Sequence, residues 1–212
     1  MFIKIKHIFF KLFSVALIKF TIVMGQLTLN IIEQSEVKVI ASSAFNFRVE
    51  IVYQLGKSDM NDIFEISKDL AEIFDNNFLL NENNINKYFN NKTLPFIARF
   101  KGEVIGYIIG VPIEKFESES WIRYDKNLGK NNTIYTYAFI MSKKYRKIGG
   151  YSKTLKRIYI NWAKKKNFKY VTGHVKQGLA KKFSNKTEIV KIFKNWYHSN
   201  SVFEYYRREL WS

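Results

Sequence analysis

Between Thr133 and Leu155 the chain reads TIYTYAFIMSKKYRKIGGYSKTL, an apolar run passing through clustered cations and paired glycines into an amphipathic pattern. The first turn of a helix leaves backbone N–H groups without intrahelical partners and carries partial positive charge. Gly149 and Gly150 would let that turn approach a ligand closely. Lys143, Lys144, Arg146, Lys147 and Lys153 add full charges around it. The combination suits a diphosphate. It is not a Walker loop, because Gly-x-x-x-x-Gly-Lys-Ser/Thr does not occur, and no Gly-x-Gly-x-x-Gly supports a dinucleotide fold. The plainer alternative is a strand-to-helix connection whose glycines only turn the chain.

Charge placement marks the same quarter of the chain. The 212 residues carry a net charge of +17, and from Lys143 to Lys194 there are 17 basic residues against one acid, Glu188. The remainder is nearly balanced. Such a field attracts polyanions: nucleic acid, anionic lipid or a phosphorylated cofactor. A solvated face in a lysine-rich chain gives the same count. Other chemistries are excluded by composition. With no cysteine there is no disulfide framework, no thiolate nucleophile and no sulfur-ligated zinc. His7, His174 and His198 are too few and scattered for a metal cluster. At 47% apolar and 17% aromatic the chain has ample material for a core.

The elements that must position this segment follow from hydrophobic period. Residues 47–55 alternate as a strand, and Ser58 with Asp59 offers an N-cap to a helix bearing Ile63, Ile66, Leu70, Ile73 and Phe74. A shorter helical stretch spans 81–89. Residues 95–100 read as a strand turning at Lys101-Gly102 into a nearly continuous apolar strand, 103–111, in which Gly106 and Gly110 invite a bulge or close approach. Residues 114–132 read as a polar loop and 133–141 as the next strand. Leu155, Ile158, Tyr159 and Trp162 line the helix behind the glycines. Residues 168–175 read as a strand. Asn185 and Glu188 resemble a capping box before Ile189, Ile192, Phe193 and Trp196, which predicts a fourth helix. Residues 202–211 form a final strand or short helix. The result is a mixed α/β layer fold, an α+β arrangement with about six strands flanked by about four helices. Residues 1–44 stand apart as a basic, apolar extension, and the domain proper is assigned to 45–212. Lys11 and Lys19 interrupt the apolar run, which argues against a membrane span; an interfacial helix over 1–24, or a start at Met24, are the alternatives.

With these elements in order, the segment resembles the acetyl-coenzyme A motif of the GNAT N-acetyltransferases: Arg or Gln, two residues, Gly, one residue, then Gly or Ala. Arg146, Lys147, Ile148 and Gly149 match through the first glycine. The last small position falls on Tyr151; a loop one residue longer, through Gly150 and Tyr151, would place Ser152 there. The helical pair, the 95–111 hairpin and the strand at 168–175 match the family's element order, so the resemblance covers about residues 45–211.

The resemblance implies a fold and a mechanism. Two strands splay apart, and the pantetheine arm of acetyl-CoA lies between them along backbone near Phe139, Ile140 and Met141. An amine attacks the thioester directly, so no protein nucleophile is needed. An acid protonates the departing thiolate, and the family's C-terminal tyrosine falls on Tyr206 in preference to Tyr205, with Ser199 where the family has asparagine. The base candidates are His174, Glu103 and Glu114. Glu117, Glu119 and Asp125 are candidate attractors of a cationic acceptor. The expected activity is therefore acetyl transfer from acetyl-CoA, without a metal, to an amine on a small molecule or peptide. The setting is cytoplasmic, with the membrane surface as a further partner through residues 1–24. A basic nucleic-acid-binding protein and a catalytically silent protein of the same fold are the alternatives.

Overall fold

The computed structural model describes residues 32–43, 46–74, 79–196 and 201–211. Extension residues 1–31, with His7 and the candidate start Met24, lie outside the described set, as do His198, Ser199 and Asn200. Residues 34–211 build one sheet with helices on both faces. Strands β1 (Glu36–Ser42), β2 (Phe47–Gln54), β3 (Leu94–Phe100), β4 (Glu103–Pro112), β5 (Thr133–Met141), β6 (Tyr170–Lys176), β7 (Thr187–Phe193) and β8 (Phe203–Glu209) lie in the order β1-β2-β3-β4-β5-β6-β8-β7. Neighbours are antiparallel except β5 and β6. Helix α1 (Lys57–Phe74) and the single turn α2 (Ile85–Tyr88) follow β2; α3 (Tyr151–Lys165) joins β5 to β6.

Among the described residues there are eight strands and three helices, where about six and about four were expected. The predicted fourth helix is β7. Its β-branched residues Thr187, Ile189, Val190 and Ile192 suit a pleated surface, and Glu188 caps nothing, because its carboxylate holds Arg207 of β8 at 2.8 Å. The other added strand, β1, comes from the stretch assigned to the extension and pairs with β2 along the sheet's edge. The polar loop before β5 contains two 3-10 turns, Ile113–Phe116 and Ile122–Tyr124, which bury Ile113, Trp121 and Ile122.

The α3 face packs Leu155, Tyr159 and Ala163 against Phe96, Ile108 and Ile134. The α1 face packs Ile63, Ile66 and Leu70 against Ile97, Tyr107 and Ile109. β4 is central and buried on both faces, as its unbroken apolar sequence predicts. Its glycines admit neighbours: a Cβ at Gly106 would lie 2.4 Å from Met141 Sδ, and one at Gly110 2.7 Å from the Tyr159 ring. Lys101 and Gly102, both at positive φ, make the β3–β4 turn. Asp59 does not cap α1, which begins at Lys57. It is buried, and its carboxylate accepts two bonds from Arg99, at 2.8 and 2.7 Å, while Arg99 also donates to Glu50 at 3.1 Å. Burial, the largest single influence, would raise the Asp59 pKa; hydrogen bonds from Arg99 and Ser35 together with the charges of Arg99 and Arg48 outweigh it and hold the carboxyl below its usual range.

Candidate active site

β5 and β6 pair only at their starts, Thr133 with Tyr170, Ile134 with Val171 and Tyr135 with Thr172. Beyond that point β5 stays with β4 and β6 stays with β8, so the two part. The cause is visible in the β4–β5 register, which slips between Ile109↔Ala138 and Gly110↔Thr136 and leaves Tyr137 as an extra residue. Such a bulge bends its strand and resets which side chains face which way. Thr136 points to α3, whereas Tyr137 and Ala138 both point toward the α1 side. The gap is a slot of about 120 Å³ running through the sheet, with Leu70 and Phe74 of α1 at one end and Lys156, Tyr159 and Ile160 of α3 at the other.

The turn predicted to cradle phosphate does not itself line the slot: Gly149 and Tyr151 border a separate hollow with Ser42 and Phe47, and α3 reaches the slot one turn later, at Lys156. α3 begins at Tyr151 with Gly150 at φ +67° and no side-chain cap, and its first backbone bond runs from the Thr154 N–H to the Gly150 carbonyl. The amides of Tyr151, Ser152 and Lys153 therefore have no intrahelical partner. Lys147, Ile148, Gly149 and Gly150 are exposed. The bulk of Tyr151 does not block the cradle: its ring packs on Phe47 and Phe100, with centroids 4.7 and 5.4 Å away. A Cβ at Gly149 would meet that ring at 2.6 Å, so the glycine makes room for it.

Not every cation of the turn is available. The Lys143 ammonium is paired with Glu72 at 2.9 Å and Asp69 at 3.2 Å, and Arg146 donates to the Met141 carbonyl at 2.8 Å and to Asp69 at 3.0 Å. These two pin the turn to α1. Lys144 is within 3.6 Å of Glu103. Lys147 and Lys153 make no ion pair among the described residues and remain for an anion. Sequence reasoning missed one more. Lys156, the next turn of α3, lies in the slot 3.7 Å from the centre of the Phe183 ring, close enough to Arg208 to feel its charge. Burial, then that repulsion, lowers its pKa to about 8. Its signal was present: Lys156 sits one position beyond Leu155, on the edge of the apolar stripe.

Phe139 lines the slot, whereas the Ile140 and Met141 side chains are buried in the two cores and can meet a ligand only through backbone. Tyr206 and His174 both line it. The Tyr206 hydroxyl reaches Thr136, whose own hydroxyl is 3.2 Å from that of Tyr159. Burial pushes the Tyr206 phenol up to about 12, against a smaller downward pull from Arg208, so it keeps its proton at neutral pH. Tyr205 faces the other way and spends its hydroxyl on Asp125 at 2.6 Å. His174 lies between Trp196, ring centroids 3.4 Å apart, and Tyr205, 4.7 Å apart. Its Nδ1 is 2.9 Å from the Tyr135 hydroxyl, and its buried Nε2 has no partner. Burial holds its pKa well below the ordinary histidine value, so the ring is neutral.

On the α1 side, a pocket of about 450 Å³ meets the slot at Tyr137. Its walls are aromatic, including Trp121 and Trp196, which arrive from a loop and from the end of the β7 segment. Of the three acids expected to attract a cation, Glu119 lines it and Glu117 does not, while Asp125 is buried and already bound by Arg207 at 2.8 Å. Glu114 accepts from the Asn131 N–H and Glu103 from Tyr145, so neither base candidate enters the slot. Among the described residues no group of three or more His, Asp or Glu converges as a metal site.

Comparison with protein-family models gives no match, and neither does comparison with curated proteins. Solved structures do match. Ard1 from Thermoplasma volcanium superposes with a TM-score of 0.56 at 13% identity, over 79% of this chain and 99% of that one. The ribosomal-protein-S18-alanine N-acetyltransferase from Escherichia coli gives 0.55 at 12% identity, over 77% and 94%. A GNAT family acetyltransferase from Elizabethkingia anophelis, solved with acetyl-CoA bound, gives 0.51 at 15% identity, over 77% and 98%. The order of elements, the parting of β5 from β6 and these superpositions agree on one architecture: this chain has the GNAT acetyltransferase fold.

Proposed function

We propose that the protein transfers an acetyl group from acetyl-CoA to an amine by direct attack in a ternary complex. The observation that carries this reading is the slot between β5 and β6, walled on one side by α3, a helix whose N-terminus has no side-chain cap. A diphosphate at the amides of 151–153, with Lys147 and Lys153 beside it, leaves an acyl-pantetheine arm to follow the outer edge of β5, where residues 136–141 have no strand partner. Lys156 and Arg208 supply further positive charge along that path. A β5 amide near the bulge then polarises the thioester carbonyl as charge builds on its oxygen.

The amine enters from the 450 Å³ pocket and meets the thioester near Tyr137. Nitrogen bonds to the carbonyl carbon, the C–S bond breaks, the thiolate takes the proton that the raised pKa of Tyr206 has kept on the phenol, and the second proton shed by the nitrogen restores Tyr206 through water. Because burial disfavours a charged His174, its free Nε2 passes the ammonium proton on to water rather than keeping it.

Acetyl-CoA should therefore stabilise the full chain. At a hundredfold excess over Kd the folded state gains about 2.7 kcal/mol, a rise of roughly 5–10 °C in Tm for a domain of this size. No shift at millimolar acetyl-CoA, together with tight and salt-sensitive RNA binding, would replace this reading with one in which the basic quarter holds nucleic acid.

A further inference from the structure

The acceptor pocket carries a chemical signature of its own. Tyr88 stacks on Tyr137 at 4.2 Å between centroids, and Trp121 contacts Tyr135 at 5.0 Å and Trp196 at 5.9 Å, so flat apolar surfaces line its interior. Its exposed charges are of one sign: Lys87, Lys92 and Lys115 on the lining, against the single carboxylate of Glu119. The Trp121 indole N–H is buried behind this surface and has no hydrogen-bond partner among the described residues. A dicationic amine meets three lysines for the one carboxylate of Glu119, a net repulsion.

Resting on the reading above, we propose that the acceptor is an amine with a flat, apolar body and an anionic group at the end remote from the amine. The amine reaches Tyr137 at the slot, the body lies among Tyr88, Phe116, Trp121 and Trp196, and the anion stays among the three lysines. This reverses the expectation of an acidic site for a cationic substrate. The physical reason is that, of the three acids expected to attract a cation, Asp125 is held inside the fold by Arg207 and Tyr205 and Glu117 does not line the pocket, which leaves Glu119 alone against three lysines.

The test is binding of four amines to the full chain by calorimetry, with and without saturating coenzyme A, so that it needs no turnover. The probes are 4-(2-aminoethyl)benzoate, phenethylamine, 5-aminopentanoate and cadaverine. The aminoethylbenzoate should bind about tenfold more tightly than phenethylamine and at least a hundredfold more tightly than cadaverine. The carboxylate advantage should shrink with added salt. In a Lys92→Glu, Lys115→Glu variant the affinity ratio of aminoethylbenzoate to phenethylamine should fall to one or below. Both substitutions are on exposed residues, and circular dichroism checks the fold. Cadaverine binding as well as the aromatic acid, or an unchanged ratio in the double glutamate variant, overturns the proposal. Absence of coenzyme A binding would instead overturn the acetyltransferase reading, while the four affinities of the ligand-free chain still decide the nature of the pocket.

Discussion

Gly150→Asp places a carboxylate where the diphosphate is proposed to sit. Gly150 is the better position for this than Gly149, because a Cβ at Gly149 would strike the Tyr151 ring at 2.6 Å and push it off Phe47, whereas nothing lies within 4 Å of a Cβ at Gly150. The backbone there is left-handed, φ +67°, which costs an L-residue about 1 kcal/mol, and asparagine and aspartate bear it best. Gly150→Asn carries the same strain without the charge, so the ratio of the two affinities isolates electrostatics. Two unit charges 5 Å apart at an effective dielectric constant of 20 repel by about 3 kcal/mol. The site is exposed, so screening reduces this to roughly 1–2 kcal/mol, a five- to thirtyfold loss of acetyl-CoA affinity for Asp relative to Asn. The Asp carboxylate also faces the free amides of α3 and competes for them, while its charge suits the helix N-terminus and maintains the fold. Calorimetric titration with acetyl-CoA at low and high salt measures the ratio, which should narrow as salt rises. Equal affinities for the two variants at low salt would mean that no phosphate lies at this turn.

Two further outcomes follow from the charges around the sheet. Lys156→Met should weaken acetyl-CoA about tenfold at pH 7 and flatten its pH dependence. In the parent chain Lys156 loses its proton near pH 8, so affinity should decline above that pH as binding has to restore it; identical pH profiles for variant and parent would remove Lys156 from the cofactor path. Asp59→Asn leaves Arg99 buried with Glu50 alone, and should cost about 3 kcal/mol, read as a fall in Tm. Because the Asp59 pKa is lowered on folding, its contribution is full above its unfolded value and lost as pH falls through the folded one. The variant should therefore show a shallower loss of stability on the acid side.

Much of the fold is legible in the sequence where one element's own pattern decides its structure. β2, β3, β4 and β5 alternate or run apolar in lengths that only strands use, and α1 and α3 have a single apolar stripe each. β7 was not legible as a strand. Ile189, Ile192, Phe193 and Trp196 fall at helical spacing, and Asn185 with Glu188 mimics a cap; β8 decides the matter by offering both a partner edge and Arg207. β1 carries a real signal, Val37, Val39 and Ala41 alternating with Glu36 and Lys38, but an edge strand buried on little of its surface reads weakly. At the candidate site, the Gly149–Gly150 turn and its cations could be read from spacing. The Tyr137 bulge could not, because it exists only in the register between β4 and β5. Nor could the aromatic pocket, since Trp121, Tyr135 and Trp196 come from three segments that no local period connects. Lys143 and Arg146 looked like ligands for phosphate and instead hold the turn to Asp69, a partner more than seventy residues away in the chain.

The parting of β5 and β6 is costly as pure architecture. Each buried backbone group left without a partner costs about 1–3 kcal/mol, and from Thr136 onward β5 has a ladder on one side only. Closing the gap would satisfy those groups, yet two features prevent it. The extra residue at Tyr137 bends β5 away, and the hydroxyls of Tyr206 and Tyr159 converge on Thr136 at the fork, where Gly173 on β6 has no side chain to fill the space. Zipping the strands would have to expel a buried phenol that reaches across from β8, exchanging one set of unmet hydrogen bonds for another. The unpaired edge is therefore held open by strand register and packing. Groups fixed in that way need no reorganisation when an amide-bearing acyl chain arrives, which is the condition under which backbone donors are most effective at a developing negative charge. That same rigidity separates the two halves of the site. The slot belongs to the sheet and is set by β4, β5, β6 and β8. The neighbouring pocket shares Tyr137 with the slot and borrows Val111 and Tyr135 from the sheet, but takes most of its lining from the 113–121 turns, from α2 and the residues after it, and from Trp196, so most of its chemistry can differ without any change in the slot.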